Sequence, residues 1–316
     1  LTKESARIGV LDVGCFSAHL VVVDSDHDSP VDPVLTHKVR LRLDLAIDDA
    51  GRINPGGIDQ ICLAVSEAKH QADRTGVLLV VAFATSSIRD APNAHQVIAR
   101  VASQTGVELQ VLPGEREACL SYVAARHWFG LSAGPLTVLD VGGGTAELAI
   151  GDGPEPQIAH SLPLGARTLS RAGLNDAEQL AGMRAEVIRR VKDALPDLPE
   201  LSSTRAVACS KVFQQLARLA GARPQRHGPF VPRHLRLEDL THWIPRLAQL
   251  SSHQRAQLPG ISRHRARQSL AGAVLAETLM RVTGHDVVDI SPWSTQEGLL
   301  ITLLQNTRTH HLTTLR

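Results

Sequence analysis

The sequence predicts an α/β protein of two tandem, related domains with a cleft between them. Three observations carry this. At 316 residues the chain exceeds the size at which one hydrophobic core usually stops growing, so two domains are expected. Apolar strand-like runs alternate with amphipathic helical runs. And one sentence is written twice: "LDVGCFSAHLVV" from Leu11 and "LDVGGGTAELAI" from Leu139 match at Leu11/Leu139, Asp12/Asp140, Val13/Val141, Gly14/Gly142, Ala18/Ala146 and Leu20/Leu148, an offset of 128 residues. Each copy reads as a β-hairpin whose turn holds an aspartate, glycine and a hydroxyl, Ser17 in the first and Thr145 in the second.

In chain order, "RIGVLDV" and "AHLVVVD" are strands, apolar at nearly every position as expected for strands covered on both faces. The Asp, Ser and Pro-rich stretch 24–32 is a turn, and 34–43 alternates as a third strand. Residues 56–75 have helical periodicity, "GVLLVVAFATS" is a central strand, 92–104 a helix, 107–112 a strand and 115–128 a helix. "GLSAGP", 130–135, reads as the linker, which sets the domains at 1–131 and 132–316. Three strands follow at 137–141, 146–150 and 157–162, then a helix over 175–195, the short strand "AVACS" and a helix over 211–220. Added helices at 237–250 and 265–282, a strand at 287–290 and a last helix at 295–305 complete the second domain.

Hydrophobic residues are 43% and charged residues 21% of the chain, ordinary for a folded globular protein. No run approaches 18 uninterrupted apolar residues, and "LTKESAR" has no signal-like apolar stretch, so a cytoplasmic location is expected and a membrane partner is not. Cys15, Cys62, Cys119 and Cys209 have no paired spacing and read as buried small residues. The net charge of +1 is unevenly spread: residues 205–316 carry 15 Lys and Arg against 6 Asp and Glu. Two acid-free stretches, 218–236 and 253–267, hold Arg223, Arg226, Arg233, Arg236, Arg263, Arg265 and Arg267, which suggests a polyanion track. Aromatics are only 3% and do not interleave with these arginines, so the stacking half of a single-stranded nucleic-acid site is missing.

The second turn, "DVGGGTAE", places Gly142, Gly143 and Gly144 between two strands. Glycine is useful there for a positive φ or for a close approach to the backbone. Successive amides in such a turn form an oxyanion nest, Thr145 adds a hydroxyl, and Asp140 and Glu147 are oxygen ligands suited to Mg2+ or Mn2+. No GK[ST] follows, and the turn leads to a strand rather than a helix, which excludes a Walker A loop and a dinucleotide fingerprint. The first turn offers Asp12, Gly14 and Ser17, with Asp12 and Asp140 bracketing the metal. "PGEREA" supplies Glu115, a dipole-favoured structural acid, and Glu117, the candidate base. Arg89, in "ATSSIRDAPN", fits an oxyanion clamp. Ser210 and Lys211 open a second strand-to-helix junction with anion-binding character.

These motifs, "LDVG", "FATSSIRDAPN", "LPGEREA", "LDVGGGTAEL", "SLPLGARTL", "CSKVFQQLARLAGA" and "SPWSTQEGLLI" in that order, resemble the exopolyphosphatase and guanosine pentaphosphate phosphohydrolase family, of the sugar-kinase, Hsp70 and actin superfamily with its ribonuclease H-like domains. The chain is most similar to the short, two-domain exopolyphosphatases. The resemblance implies two actin-like domains and metal-assisted hydrolysis of the terminal phosphoanhydride of inorganic polyphosphate, with guanosine pentaphosphate as the alternative substrate and a homodimer as the assembly. It implies Glu117 as general base, Asp140 and Glu147 at metal and phosphate, Arg89 on phosphate, the 142–145 amides around the reacting phosphoryl group, and Asp12, Gly14 and Ser17 opposite. Three departures stand out. The first turn usually carries a small hydroxyl and an amide where this chain has Cys15 and Phe16, and an arginine is usual where it has Gln296. A phenylalanine ring in an anion's space and a lost positive charge motivate a third reading, a sensor that binds phosphate without turnover.

Overall fold

A computed structural model describes residues 6–26, 32–196 and 198–313, with side chains through 307; most of the turn expected over 24–32 lies outside them. The chain forms two compact units, one running through Pro113 and resuming at Gln296, the other spanning Gly114–Thr295.

The first unit has strands β1 (Arg7–Val13), β2 (Ser17–Asp24), β3 (Leu35–Arg40), β4 (Leu79–Ala84) and β5 (Leu109–Val111), with helices α1 (Leu43–Ala46), α2 (Pro55–Asp73), α3 (Ser86–Arg89) and α4 (Ala94–Thr105). The sheet order is β3-β2-β1-β4-β5, with β1, β2 and β3 antiparallel and β4 and β5 parallel to β1. Helix α2 begins where Asn54 Oδ1 accepts from the Gly57 amide at 2.8 Å and proline stands at the first helical position, a strong start signal. It buries Ile58, Ile61, Ala64, Val65 and Ala68 in one core with Leu11, Val13, Leu20 and Val22, the periodic face read from the sequence.

The second unit opens with α5 (Gly114–Phe129). Strands β6 (Leu136–Val141), β7 (Ala146–Gly151) and β8 (Ile158–Leu162) follow, then helices α6 (Ala166–Arg171) and α7 (Ala177–Ala194). Next come β9 (Arg205–Ala208), α8 (Ser210–Leu219), β10 (His234–Arg236), α9 (Leu237–Gln249), α10 (Ser252–Arg255), α11 (Ser269–Val282) and β11 (Val287–Ile290). The last helix, α12 (Thr295–Thr313), lies in the first unit from Gln296 onward. The sheet order is β10-β11-β9-β6-β7-β8. Its β8-β7-β6-β9-β11 portion repeats the order and strand directions of the first sheet, and β10 is an antiparallel addition. The repeat seen as two hairpins is therefore a repeat of whole sheets.

The units divide the chain differently from the expected 131/132 boundary. Residues 130–135 hold only a 3-10 turn, Leu131–Ala133, between α5 and β6. Helix α5 belongs with the second sheet because Ala118, Tyr122 and Ala125 bury against Leu136, Val138 and Ala149. Sequence periodicity locates the helix but leaves open which sheet covers its apolar face. Cys15, Cys62 and Cys209 are buried, and none of the four cysteines is in a disulfide.

Candidate active site

Strand β6 carries Asp140 to the sheet end and β7 brings Glu147 back directly opposite it, so both carboxylates stand on one face of the pair. The turn between them is closed by the Gly142 amide donating to Thr145 O at 2.9 Å. The first turn of α6 lies over it. Ala166 N–H donates to Gly142 O at 3.0 Å, and Arg167 and Thr168 N–H donate to Gly143 O at 2.9 and 3.1 Å. Thr168 Oγ1 donates to Gly144 O at 3.2 Å. In a planar trans peptide each carbonyl points opposite to the next N–H. With three carbonyls turned to α6, the amides of Gly143, Gly144 and Thr145 point away from it, and among the described residues they donate no hydrogen bond. Convergent unspent amides of this kind hold an oxyanion.

None of the three glycines has a left-handed φ; a Cβ on Gly142 would stand 3.1 Å from Thr145 O, whereas one on Gly143 would make only ordinary contact with Arg167. The tightest position is Gly165, just before α6, where a Cβ would stand 2.3 Å from Gly143 O and 2.5 Å from the Gly144 carbonyl carbon. No other residue lets α6 approach so closely.

Asp140, Glu147 and Glu117 are all buried. Burial pushes Asp140 up to about 6, against hydroxyls of Ser294, Ser121 and Ser210 and the charge of Arg265, which favour its ionised form. Glu147 is raised well above the ordinary carboxylate range, first by burial and then by the charges of Asp140 and Glu117. Three acids thus feel one another, Glu117 coming from the first turn of α5. Ser294 Oγ donates to Asp140 Oδ2 at 2.8 Å and Ser161 Oγ to Glu147 Oε1 at 3.0 Å. Ser121 Oγ lies 3.4 Å from Asp140 Oδ2 and 3.0 Å from Thr295 Oγ1. Ser210 has a left-handed φ of 72°, a strained state for a non-glycine residue that turns up at working sites. Its hydroxyl accepts from the Val141 amide at 3.4 Å.

Among the described residues no group of three or more His, Cys, Asp and Glu side chains is close enough to hold a metal ion. Within the second unit, β6 and β7 hold the Asp140 and Glu147 carboxylates side by side. The pair fits a hard divalent cation: the two carboxylates are adjacent and buried, Arg265 is the one positive charge among the described residues acting on Asp140, and Mg2+ commonly takes one or two protein carboxylates and completes its shell with water and phosphate.

In the first unit the corresponding turn is closed by the Gly14 amide donating to Ser17 O at 2.9 Å. Asp12 has one carboxylate oxygen, Oδ1, buried without a hydrogen-bond partner. Its carboxyl is raised to about 7 by burial and by Glu297, with Lys38 opposing. Arg89, in α3 rather than a loop, donates Nε and Nη2 to Asp90 at 2.8 and 3.2 Å and Nη1 to Leu112 O at 3.1 Å, so much of its fork faces protein partners.

The three departures have structural explanations. Cys15 and Phe16 are buried in the first core beside Leu41 and Leu43, so the ring does not fill an anion's space. Gln296 is buried and its Nε2 donates to Val10 O at 3.0 Å and His19 O at 2.8 Å; it serves the β1–β2 pair. The arginine track also needs correction. Arg233 is buried, with its guanidinium spent on four backbone carbonyls, and half-buried Arg265 lies by Asp140. Arg223, Arg226, Arg236, Arg263 and Arg267 are exposed. Lys211 Nζ bonds Gln214 Oε1 at 2.7 Å on the same helix. Sequence reasoning missed Ser121, Ser161, Gly165, Arg167 and Ser294. Ser121 had a signal: it follows Glu117 by four positions and so shares its helix face.

Fold and site together define a two-unit α/β protein with repeated mixed sheets and a backbone oxyanion nest beside a buried acidic pair. The chain belongs to the Ppx/GppA phosphatase family, whose description matches residues 21–307. It is 42% identical to exopolyphosphatase 1 of Mycobacterium tuberculosis over 95% of this chain and 89% of that protein. An uncharacterised protein of Streptomyces coelicolor is 44% identical over 93% and 89%. The guanosine-5'-triphosphate,3'-diphosphate pyrophosphatase of Vibrio cholerae is 24% identical over 96% of this chain but 61% of its own length. Among solved structures, an exopolyphosphatase from Cytophaga hutchinsonii superimposes with TM-score 0.80 at 22% identity, covering 95% of this chain and 98% of that one, which speaks to the fold.

Proposed function

We propose that this chain hydrolyses the terminal phosphoanhydride of inorganic polyphosphate and releases orthophosphate. The observation that carries this is the set of three amides at Gly143, Gly144 and Thr145, turned away from α6 beside the Asp140, Glu147 and Glu117 carboxylates. Two relationships support polyphosphate over guanosine pentaphosphate: the exopolyphosphatase 1 likeness is higher in identity than the pyrophosphatase one and covers more of the relative's length.

In this reading the amides and the Thr145 hydroxyl take the oxygens of the terminal phosphoryl group. Glu117 orients a water and accepts its proton as the oxygen attacks phosphorus. The bridging P–O bond breaks and the shortened polyphosphate leaves with the electron pair. Asp140 and Glu147 would hold Mg2+ or Mn2+, which supplies charge neutralisation at the phosphate oxygens when bound. Ser294, Ser121 and Ser210 fix the Asp140 carboxylate. Positioning and electrostatics do most of what phosphoryl transfer requires. The exposed arginines of the second unit hold the rest of the polymer. A cytoplasmic homodimer completes the proposal, on the family resemblance. Among the described residues no helix is long and apolar enough to cross a membrane.

The test is orthophosphate release from long polyphosphate and from guanosine pentaphosphate at equal phosphate-end concentration, with and without Mg2+. Glu117→Gln should lower kcat about 100- to 10,000-fold while polyphosphate still binds. Release at the normal rate from that variant would remove Glu117 from its role, and Mg2+-independent release would remove the metal.

A further inference from the structure

The chain has only three Trp, five Phe and one Tyr, yet the second unit brings Trp128, Phe129, Phe230 and Trp293 into one neighbourhood outside the turn of 142–145. Phe230 stacks on Trp128 with centroids 5.1 Å apart at 22°, and Trp128 meets Trp293 edge-on at 4.9 Å. Phe230 is 72% exposed, but its loop is held firmly. Arg233 Nε donates to Arg223 O and Nη1 to Val231 O, each at 2.8 Å, and Nη2 donates to Pro224 O at 2.8 Å and Gly228 O at 3.0 Å. Burying a guanidinium costs free energy, and here it fixes a loop whose tip is an outward-facing ring.

A pocket of about 260 Å³ lies against these rings. Its polar edge is Arg205, His234 and Asp289. Arg205 lies over the Phe129 face at 4.4 Å and donates Nε to Asp289 Oδ2 at 2.6 Å; His234 Nδ1 is 2.6 Å from Asp289 Oδ1. Arg205 at the edge and buried Arg233 behind it give the lining two positive charges against the single carboxylate of Asp289, so its field favours an anion while the rings favour a flat π-surface.

We propose that this pocket binds a planar heteroaromatic ring carrying an anionic group, the chemistry of a nucleoside phosphate. The ring extends the Phe230–Trp128 stack and the phosphate lies toward Arg205. A bare phosphate chain uses only the charged edge, and a neutral ring only the aromatic one. The site has a physical link to the candidate active site within the same unit: Trp293 precedes Ser294, which donates to Asp140, and Trp128 lies in the last turn of the helix whose first turn carries Glu117.

The test is tryptophan fluorescence of the full chain carrying Trp243→Phe, which leaves Trp128 and Trp293 as reporters. AMP and GMP are titrated in parallel with adenosine, which lacks the anion, and pyrophosphate, which lacks the ring. Saturable quenching by both nucleotides, about tenfold weaker for each half-ligand, is expected. Phe230→Ala should weaken nucleotide binding about tenfold, and Arg205→Ala should abolish the preference for AMP over adenosine. Phe230 is exposed, so its truncation leaves the core intact, and circular dichroism checks this. Equal response to pyrophosphate and AMP, or unchanged binding to the Phe230→Ala chain, overturns the proposal. Because the readout is binding without turnover, it stands or falls independently of the proposed hydrolysis.

Discussion

At residues 142–145 Gly165 lets α6 come down on the turn and donate to its carbonyls. At 14–17 the equivalent carbonyls are taken from another direction: Leu43 N–H donates to Cys15 O at 3.0 Å and Leu41 N–H to Phe16 O at 2.9 Å. By the same peptide geometry, the Phe16 and Ser17 amides are turned away from the 41–43 segment. The two hairpins thus orient their backbones alike, one through a helix whose approach Gly165 permits, the other by sending Cys15 and Phe16 into the core as anchors. What matters for presenting amides is which segment accepts the carbonyl side. Turn side chains are free to vary, and so Cys15 and Phe16 depart from the family pattern without implying a lost site.

The comparison breaks most readily at Gly165. A Cβ there must push α6 or the 142–145 turn aside, so Gly165→Ala should lower orthophosphate release about 100-fold or more and cost about 1–3 kcal/mol in urea unfolding. Near-normal release would mean the turn tolerates a retreat of α6. The first turn should respond the other way round. Phe16→Ala should cost about 3 kcal/mol of stability through the cavity it leaves, while kcat per folded molecule changes less than about threefold. If Phe16→Asn, which restores the amide usual in the family, instead raises kcat without loss of stability, the ring faces phosphate after all. The smallest effect is expected at Gln296. Gln296→Leu removes the donor to Val10 O and His19 O and should cost about 1–3 kcal/mol, read as faster amide hydrogen exchange in β1 and β2 with little change in KM. A large rise in KM would return position 296 to the phosphate site.

Much of the fold was legible because it is periodic. The paired hairpins gave both sheets their first strands, β11 was located at 287–290 as found, and the face of α2 could be read from its spacing. Of the site, Glu117, Asp140 and Glu147 could be read because acids at strand and helix ends stand out in apolar surroundings. The rest depended on facts that pattern does not carry. Helix α6 is six residues long, too short to show a period, and only its closeness to Gly143 gives it meaning. Arg233 and Arg223 look alike in sequence, yet one is buried among carbonyls and the other exposed, a difference made by how the 223–231 loop closes. Ser210 could be read as opening a strand-to-helix junction, but its φ of 72° and its bond to Asp140 could not. The linker reading failed because a small-residue turn joins elements within a unit as easily as between units.

The return of α12 to the first unit has a consequence for biogenesis. The bond from Gln296 to Val10 O joins residues 286 positions apart, so the β1–β2 hairpin waits until α12 has been made before this partner arrives. Gly114–Thr295, by contrast, is one uninterrupted stretch able to consolidate while the ribosome is still adding α12. Such a chain closes the β1–β2 hairpin after its second unit, and removing α12 should damage strands synthesised well before it.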